Sequence, residues 1–334
     1  MTTDETPGRS QAPVPDSAGD DSDLRGARSA AHQGDWRTAA WLLAGTADPD
    51  LRWERAYVLA EATQDSRGWL DAWLAAAPDS RDARGVQALA AVVGAWALRG
   101  SGWAVDHPEE FRRAVPEAAA ACREASRLAP DDVVPLVGLL ILARVEPAPR
   151  AEVDRRFAAV RALAPWHLGA HEQVLQYLCA KWHGSTDQMF AFARGAAGAA
   201  PEGSPLNLLV AIAQIEHILA LARSDQAEFE RYRLSDPVRA ELWAAGRRWT
   251  TNQSAYARAW GHNVMAGATY LTDQNDLLAY HLAQMGSVLL HWPWEMISGR
   301  GAAAAYEKAL GWSRSHPPAA RQTAAQGRPG STGP

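Results

Sequence analysis

An all-α fold, a right-handed solenoid of irregular helical hairpins, is what this 334-residue chain predicts. Three observations carry that expectation. Ala and Leu abound, while Ile141, Ile212, Ile215, Ile218 and Ile297 are the only isoleucines, a balance that favours helix over strand. Helix start and stop signals follow one another with no credible strand between them. An Ala-Pro pair closes a helical run at Pro78, Pro130, Pro165 and Pro201, and the last two intervals are 35 and 36 residues. A period near that length, made of two helices, is the signature of a helical array.

Taken in order, residues 1–21 hold Pro, Gly, Ser and Asp with almost no large apolar side chain. Such a segment buries too little to offset its ordering entropy, so a disordered acidic leader is expected. Residues 315–334 predict a matching, mildly basic tail. Between them a single all-α domain is expected over 22–314. Asp35 precedes a helix over Trp36–Ala44, and Pro49-Asp50 one over Leu51–Ala62. Trp69, Leu70, Trp73 and Leu74 fall on one helix face ahead of Pro78, and Ser80–Leu98 closes at Gly100 in a C-cap position. An irregular insertion near 100–108 follows. The helix restarting at Pro108 contains Pro116, which predicts a kink or a split. Val133–Val145, Arg150–Leu163 and a helix from His167 to Ala180 come next, then one ending at Ala200. Beyond Pro205 the runs are Leu206–Ala222, Gln226–Tyr232, Pro237–Trp249, Ser254–Leu271, Asp273–Leu290 and Trp294–Trp312, with Gly299-Arg300-Gly301 read as a turn.

Twelve, eight and five residues before the last three prolines stand Ala118, Val153 and Met189; Cys122, Phe157 and Ala193; and Ala125, Val160 and Ala196. All nine are apolar at helical spacing, so they line one face. A small residue followed by a closing Pro, with Phe157 in an aromatic slot, resembles the tetratricopeptide repeat. The resemblance covers roughly residues 66–220 and is degenerate. Where that family favours Trp, the chain has Arg84, Leu136, His171 and Asn207. Where it needs a small residue, Leu140 and Leu175 interrupt the series of Ala88 and Ala211.

Composition excludes several functions. A formal charge of −5 with interspersed signs argues against a nucleic-acid partner. Cys122 and Cys179 are the only cysteines, too few for a secreted disulfide framework. No signal peptide is read at the N-terminus, and apolar runs such as Val133–Ala143 fall short of the ~20 residues that span a bilayer. A cytoplasmic protein without membrane association is the expectation, with no cofactor or metal.

The most distinctive string is the corner Lys181, Trp182, His183, Gly184 and Ser185. Gly184 reads as a left-handed helix terminator, Ser185 as an N-cap with Gln188 three residues on, and Trp182 as a plug over Met189 and Phe192. The corner, with Met189 and Phe192-Ala193-Arg194 after it, also resembles a bacterial (actinobacterial-type) family of uncharacterised helical-repeat proteins with a Lys-Trp-x-Gly-Ser corner. That resemblance implies fold and no chemistry. His167 and His171 share a helix face at metal-permitting spacing, but no Glu base stands between them. Asn207, Gln214 and His217 on one helix, and Arg258 and His262 on another, form polar stripes on apolar helices. These seven residues are the candidates for a concave recognition face, with polar groups satisfied between helix layers as the alternative for the two stripes. Trp69, Trp73 and Trp243 read as core; Trp292-Pro293-Trp294 reads as a helix boundary packed on the last helix, with a ligand clamp as the alternative.

With no glycine-rich phosphate loop or nucleophile elbow, the functional expectation is a non-enzymatic module that binds a protein or peptide partner on its concave face. The alternative is an enzyme or small-ligand sensor with a polar pocket near His171, Lys181 and His183. Convergence of polar side chains in one closed cavity distinguishes the second from the first.

Overall fold

The computed structural model of the protein describes residues 13–100, 105–249 and 255–316. Its N-terminal half comprises α1 (Ser22–His32), α2 (Arg37–Ala44), α3 (Pro49–Ala62), α4 (Gly68–Ala76), α5 (Arg81–Arg99), α6 (Pro108–Leu128), α7 (Val133–Leu142) and α8 (Arg150–Leu163). Then come α9 (Leu168–Tyr177), α10 (Thr186–Ala199), a 3-10 turn (Pro205–Leu208), α11 (Leu209–Ser224), α12 (Gln226–Arg233) and α13 (Asp236–Arg248). The chain ends with α14 (Ala255–Leu271), α15 (Asn275–Met285), α16 (Trp294–Ile297) and α17 (Ala302–Ser315). Among the described residues the fold is all-α, with no strand.

The proline stops act where the sequence puts them. A residue ahead of proline is pushed out of helical backbone. Ala77, Ala129, Ala164 and Ala200 accordingly end α4, α6, α8 and α10 with ψ of 73°, 79°, 88° and 149°. The repeated apolar positions then turn inward: Ala118, Cys122, Ala125, Val153, Val160, Met189 and Ala193 are buried, and Phe157 and Ala196 pack against that core. Helices α5, α7, α9, α11 and α14 follow one another side by side. Helices α6, α8 and α10 each sit against two consecutive members of that row.

Helix α3 departs from this order, because it packs on α5, α7 and α9 together. Two polar anchors hold it. The Arg52 guanidinium donates to Asp82 at 2.5 Å and to Asp132 at 2.7 Å, and Asp132 also caps α7 by accepting the Val134 N–H at 3.0 Å. Two residues earlier, Asp50 accepts the Leu168 N–H at 2.7 Å, at the start of α9. Close approach there needs Gly169, where a Cβ would lie 2.5 Å from the Trp53 indole nitrogen.

The two ends of the chain also meet. The Asp16 N–H donates to the Leu289 carbonyl at 2.9 Å, Asp16 pairs with Arg28 at 2.7 Å, and Asp20 with Arg258 at 3.2 Å. Residues 13–21 are therefore packed, contrary to the expected disordered leader. Ala18 is fully buried, and these contacts supply the apolar and ionic partners that the segment lacks within itself. Residues 1–12 of the expected leader and 317–334 of the expected tail lie outside the described residues, as do 101–104 of the expected insertion.

Other expectations change. Helix α6 runs through Pro116 without splitting, because its Ala118, Ala119, Cys122 and Ala125 are buried along that stretch and α5 packs beside it. The last expected helix divides into α16 and α17 at the Gly299–Gly301 turn, with Gly301 at φ +94°. An unpredicted α1 starts at an Asp21 cap. Pro205–Ser224 is long and apolar enough to cross a membrane by length and composition, and 72% of its most apolar stretch is buried inside the fold. Trp69 and Trp73 are core, but Trp243 is exposed under the Arg247 guanidinium.

Because Asp132 is only 1% exposed, removing Arg52 leaves its buried charge with only the more distant Arg81 guanidinium, at 3.7 Å. Arg52→Met is expected to cost about 3–5 kcal/mol in urea unfolding. A loss near zero would mean that α3 is not held by this triad.

Candidate functional site

On α3, Trp53, Glu54, Tyr57 and Val58 recur at i, i+1, i+4 and i+5, which puts them on one face. That face looks across at Glu172, Gln173 and Gln176 of α9 and at Ile212 and Glu216 of α11, one turn apart. Trp260 of α14 adds a wall. Arg144, Lys181, Ser17 and the stretch Leu290, His291, Trp292 and Met296 complete a cavity of about 420 Å³. Helices remote in sequence, together with both ends of the described chain, build this one volume.

Its charges are unevenly distributed. At one side, Glu216 is fully engaged: Lys181 Nζ lies 2.7 Å from Oε2, and Gln176 Nε2 donates to Oε1 at 2.8 Å. Nearby, the Arg144 guanidinium lies 4.4 Å from the Trp96 ring centre and 5.7 Å from that of Trp182, and burial pulls its pKa down to about 10. Burial likewise pushes Tyr57 up to about 12.

At the other side the carboxyls dominate. Burial, then the charge of Asp50, pushes Glu172 up to about 8 against the pull of a hydrogen bond from Trp260. Glu54 is pushed well above the usual carboxylate range by burial and then by Asp50, Glu172, Asp48 and Asp21, every one of them acidic. Neither group forms an ion pair among the described residues, and the largest charged influences on both are acidic. Gln173 adds a buried Oε1 with no hydrogen-bond partner among the described residues. A carboxyl that titrates near neutrality, beside a second one and three indoles, can donate or accept a proton or a hydrogen bond, or counter a positive charge.

The residues singled out from sequence fall elsewhere, Lys181 excepted. His167 caps α9, its Nδ1 accepting the Ala170 N–H at 3.1 Å. His171 is buried between hairpin layers, edge-on to Phe157 at 4.8 Å, with Nδ1 2.7 Å from the His167 carbonyl. Burial takes both histidines down to about 4, and among the described residues no group of three or more His, Cys, Asp or Glu could hold a metal. Asn207 donates to the Ser204 carbonyl at 2.9 Å; Gln214 bridges Glu241 at 2.6 Å and Tyr232 at 3.0 Å; His217 packs edge-on to Phe190 and Tyr232. Asn207 lies in the 3-10 turn, and Gln214 and His217 point from a different side of α11 than Ile212 and Glu216. His262 is buried with its Nδ1 2.9 Å from that of His281, and Arg258 is exposed beside Asp20. Most of these polar groups are packed between helices, although His167 Nε2, Asn207 Oδ1 and His262 Nε2 have no hydrogen-bond partner among the described residues and Arg258 is exposed.

The alternative trio also separates. Lys181 reaches the cavity. His183 stacks on Tyr177 at 4.7 Å with Nε2 2.9 Å from the Arg144 carbonyl, so it braces the loop that carries Arg144. Ser185 caps α10 through Gln188 at 3.2 Å, as expected. Gly184, however, does not have positive φ; it is required because a Cβ would overlap the Leu178 backbone. Trp182 packs on Trp96, edge-on at 5.8 Å, rather than being defined by Met189 and Phe192. The Trp292–Trp294 boundary divides its roles. Trp294 is core, donating to Asn263 at 2.9 Å and packing on Tyr306, while Trp292 faces the cavity.

A second hollow, about 470 Å³, lies at Arg52, Arg81, Asp82, Asp131 and Asp132. Its acidic and basic groups pair with one another, as α3 anchoring requires. The cavity at Glu54 and Glu172 is the stronger site because its acids have no such partners. No family model, curated protein or solved structure matches the chain.

The raised Glu172 gives a signed pH effect. Between its ordinary value of 4.5 and about 8 the folded protein keeps a proton that the unfolded chain releases. Stability therefore falls as pH rises through that window. The buried histidines act oppositely, losing stability as pH falls from 6.5 towards about 4. The groups facing Glu172 are Asp50 and Glu54 on α3 and the Trp260 N–H. Glu172→Gln is expected to melt with the parent near pH 5 and roughly 3–8 °C above it at pH 8.5. Parallel curves at both pH values would show that Glu172 titrates normally.

Proposed function

We propose that the protein binds a small organic ligand in the cavity between α3, α9, α11 and α14, as a ligand-binding or sensing module. The observation that carries this reading is the convergence of Glu54, Glu172, Tyr57, Arg144 and the Lys181–Glu216 pair with three indoles around one volume. A size of about 420 Å³ falls within the roughly 300–1,000 Å³ of ligand pockets, and an apolar lining with a few converging polar groups is the usual character of such sites. The packing of residues 16–20 on Leu289 and Arg258 supports enclosure, since it brings Ser17 to the cavity rim.

The hairpins from α5 to α10 support reading the scaffold as a degenerate tetratricopeptide-like solenoid, with α3 laid across its inner row. A protein- or peptide-binding role on that row is the second reading, favoured by the repeat and by exposed Trp41 and Trp243. It stands second because α3 packs on α5, α7 and α9, the surface such a partner would need.

The protein incubated with a bacterial metabolite extract, desalted and analysed by native mass spectrometry is expected to retain a discrete small molecule. Met296→Trp, which enlarges a partly exposed side chain at the rim, is expected to lower occupancy at least several-fold without lowering the melting temperature. Retention of no small molecule, or equal retention by the variant, would contradict the cavity assignment.

A further inference from the structure

The acids of the cavity are arranged as a counter-charge without its cation. Glu54 and Glu172 both line the cavity, neither forms an ion pair among the described residues, and the largest charged influences on Glu54 are the acids Asp50, Glu172, Asp48 and Asp21. Glu172 has one charged influence, Asp50, and one hydrogen-bond donor, Trp260. The cations that line the same cavity are committed elsewhere. Lys181 is held by Glu216 at 2.7 Å, and Arg144 is sandwiched near the Trp96 and Trp182 rings. Glu54 makes no hydrogen bond among the described residues. Acids this secluded are costly unless they are paired, and a structure that needed only packing could fill these positions with apolar side chains. Beside them lie the Trp53, Trp260 and Trp292 indoles, whose faces attract positive charge.

Resting on the reading of the cavity as a ligand site, we propose that the ligand is an organic ammonium compound. Its cationic nitrogen lies between Glu54 and Glu172, and its apolar body lies against the indoles of Trp53, Trp260 and Trp292. Arg144 and Lys181 at the opposite side bias its direction, since their positive charge, although engaged by Glu216 and the Trp96 and Trp182 rings, disfavours a second positive end there. Binding takes the proton from Glu172, because the ligand's charge replaces it. The association therefore releases protons to buffer at neutral pH.

Three probes of one shape but different charge test this: phenethylammonium, 2-phenylethanol and phenylacetate, titrated into the full chain with tryptophan fluorescence and calorimetry as readouts. Phenethylammonium is expected to bind roughly tenfold or more tighter than 2-phenylethanol, with phenylacetate weakest. Its heat is expected to change with the ionisation enthalpy of the buffer, reporting the released proton. Glu54→Gln, Glu172→Gln and the double variant keep the shape of each side chain, and circular dichroism checks their fold. They are expected to abolish the preference for the cation while leaving 2-phenylethanol affinity within about twofold. Equal or tighter binding of 2-phenylethanol or phenylacetate, weakened by Met296→Trp, would overturn the cationic assignment and leave the cavity reading standing. A cation preference that survives in the double variant would overturn the assignment of these two acids. Binding of glucose with none of the three probes would replace the ammonium with a polyol, and silence from every compound would count against both readings.

Discussion

The seating of α3 across α5, α7 and α9 is the constraint on which the rest of the structure depends. Arg52 ties it to Asp82 and Asp132 at one point, and Asp50 ties it to the first turn of α9 at another. With these anchors in place, Glu54, Tyr57 and Val58 share a cavity with Glu172 and Gln176. Gly169 sets the closeness of that approach by leaving room for the Trp53 indole. Without α3 the row of inner helices would present an open surface; with it, the same row encloses a volume.

Enclosure also sets the electrostatics. A carboxyl on an open helical face titrates as it does in water, and nothing is gained by placing another beside it. Here packing between the helices strips solvation from the charged forms of Glu54 and Glu172, and the largest charges that bear on them are acidic. Lys181 and Arg144 lie in the same cavity but are spent on Glu216 and on the Trp96–Trp182 pair. The outcome is a polarised cavity whose acidic side is short of a positive group. Stability is sacrificed at this one place while the surrounding hairpins remain densely apolar, a pattern that functional sites often show.

How much of this was legible follows from the range of each signal. Proline stops and the apolar positions around Phe157 and Val160 are local, so the helical hairpins could be read from spacing. The path of α3 is set by pairs such as Arg52 with Asp132 and Asp50 with Leu168, separated by 80 and 118 residues, and no periodicity reports those. The polar stripe of Asn207, Gln214 and His217 was visible, but the pattern alone could not say which side of α11 was inner. Glu216 carried the better signal. It is the single formally charged residue between Leu206 and Ala222, and such an acid in an apolar helix needs a partner. Lys181 was found through its distinctive corner, although the residues around it serve mainly to turn the chain and brace Arg144. Residues 13–21 were misjudged because composition reports what a segment can bury by itself, not what the far end of the chain offers it.

The most direct measurement is a crystal structure of the full chain with phenethylammonium. The nitrogen is expected within hydrogen-bond distance of both the Glu54 and Glu172 carboxylates, the ring against Trp53, Trp260 or Trp292, and α3 still seated on α7 and α9. A probe bound outside the cavity, or one that enters only when α3 lifts away from α9, would contradict this placement.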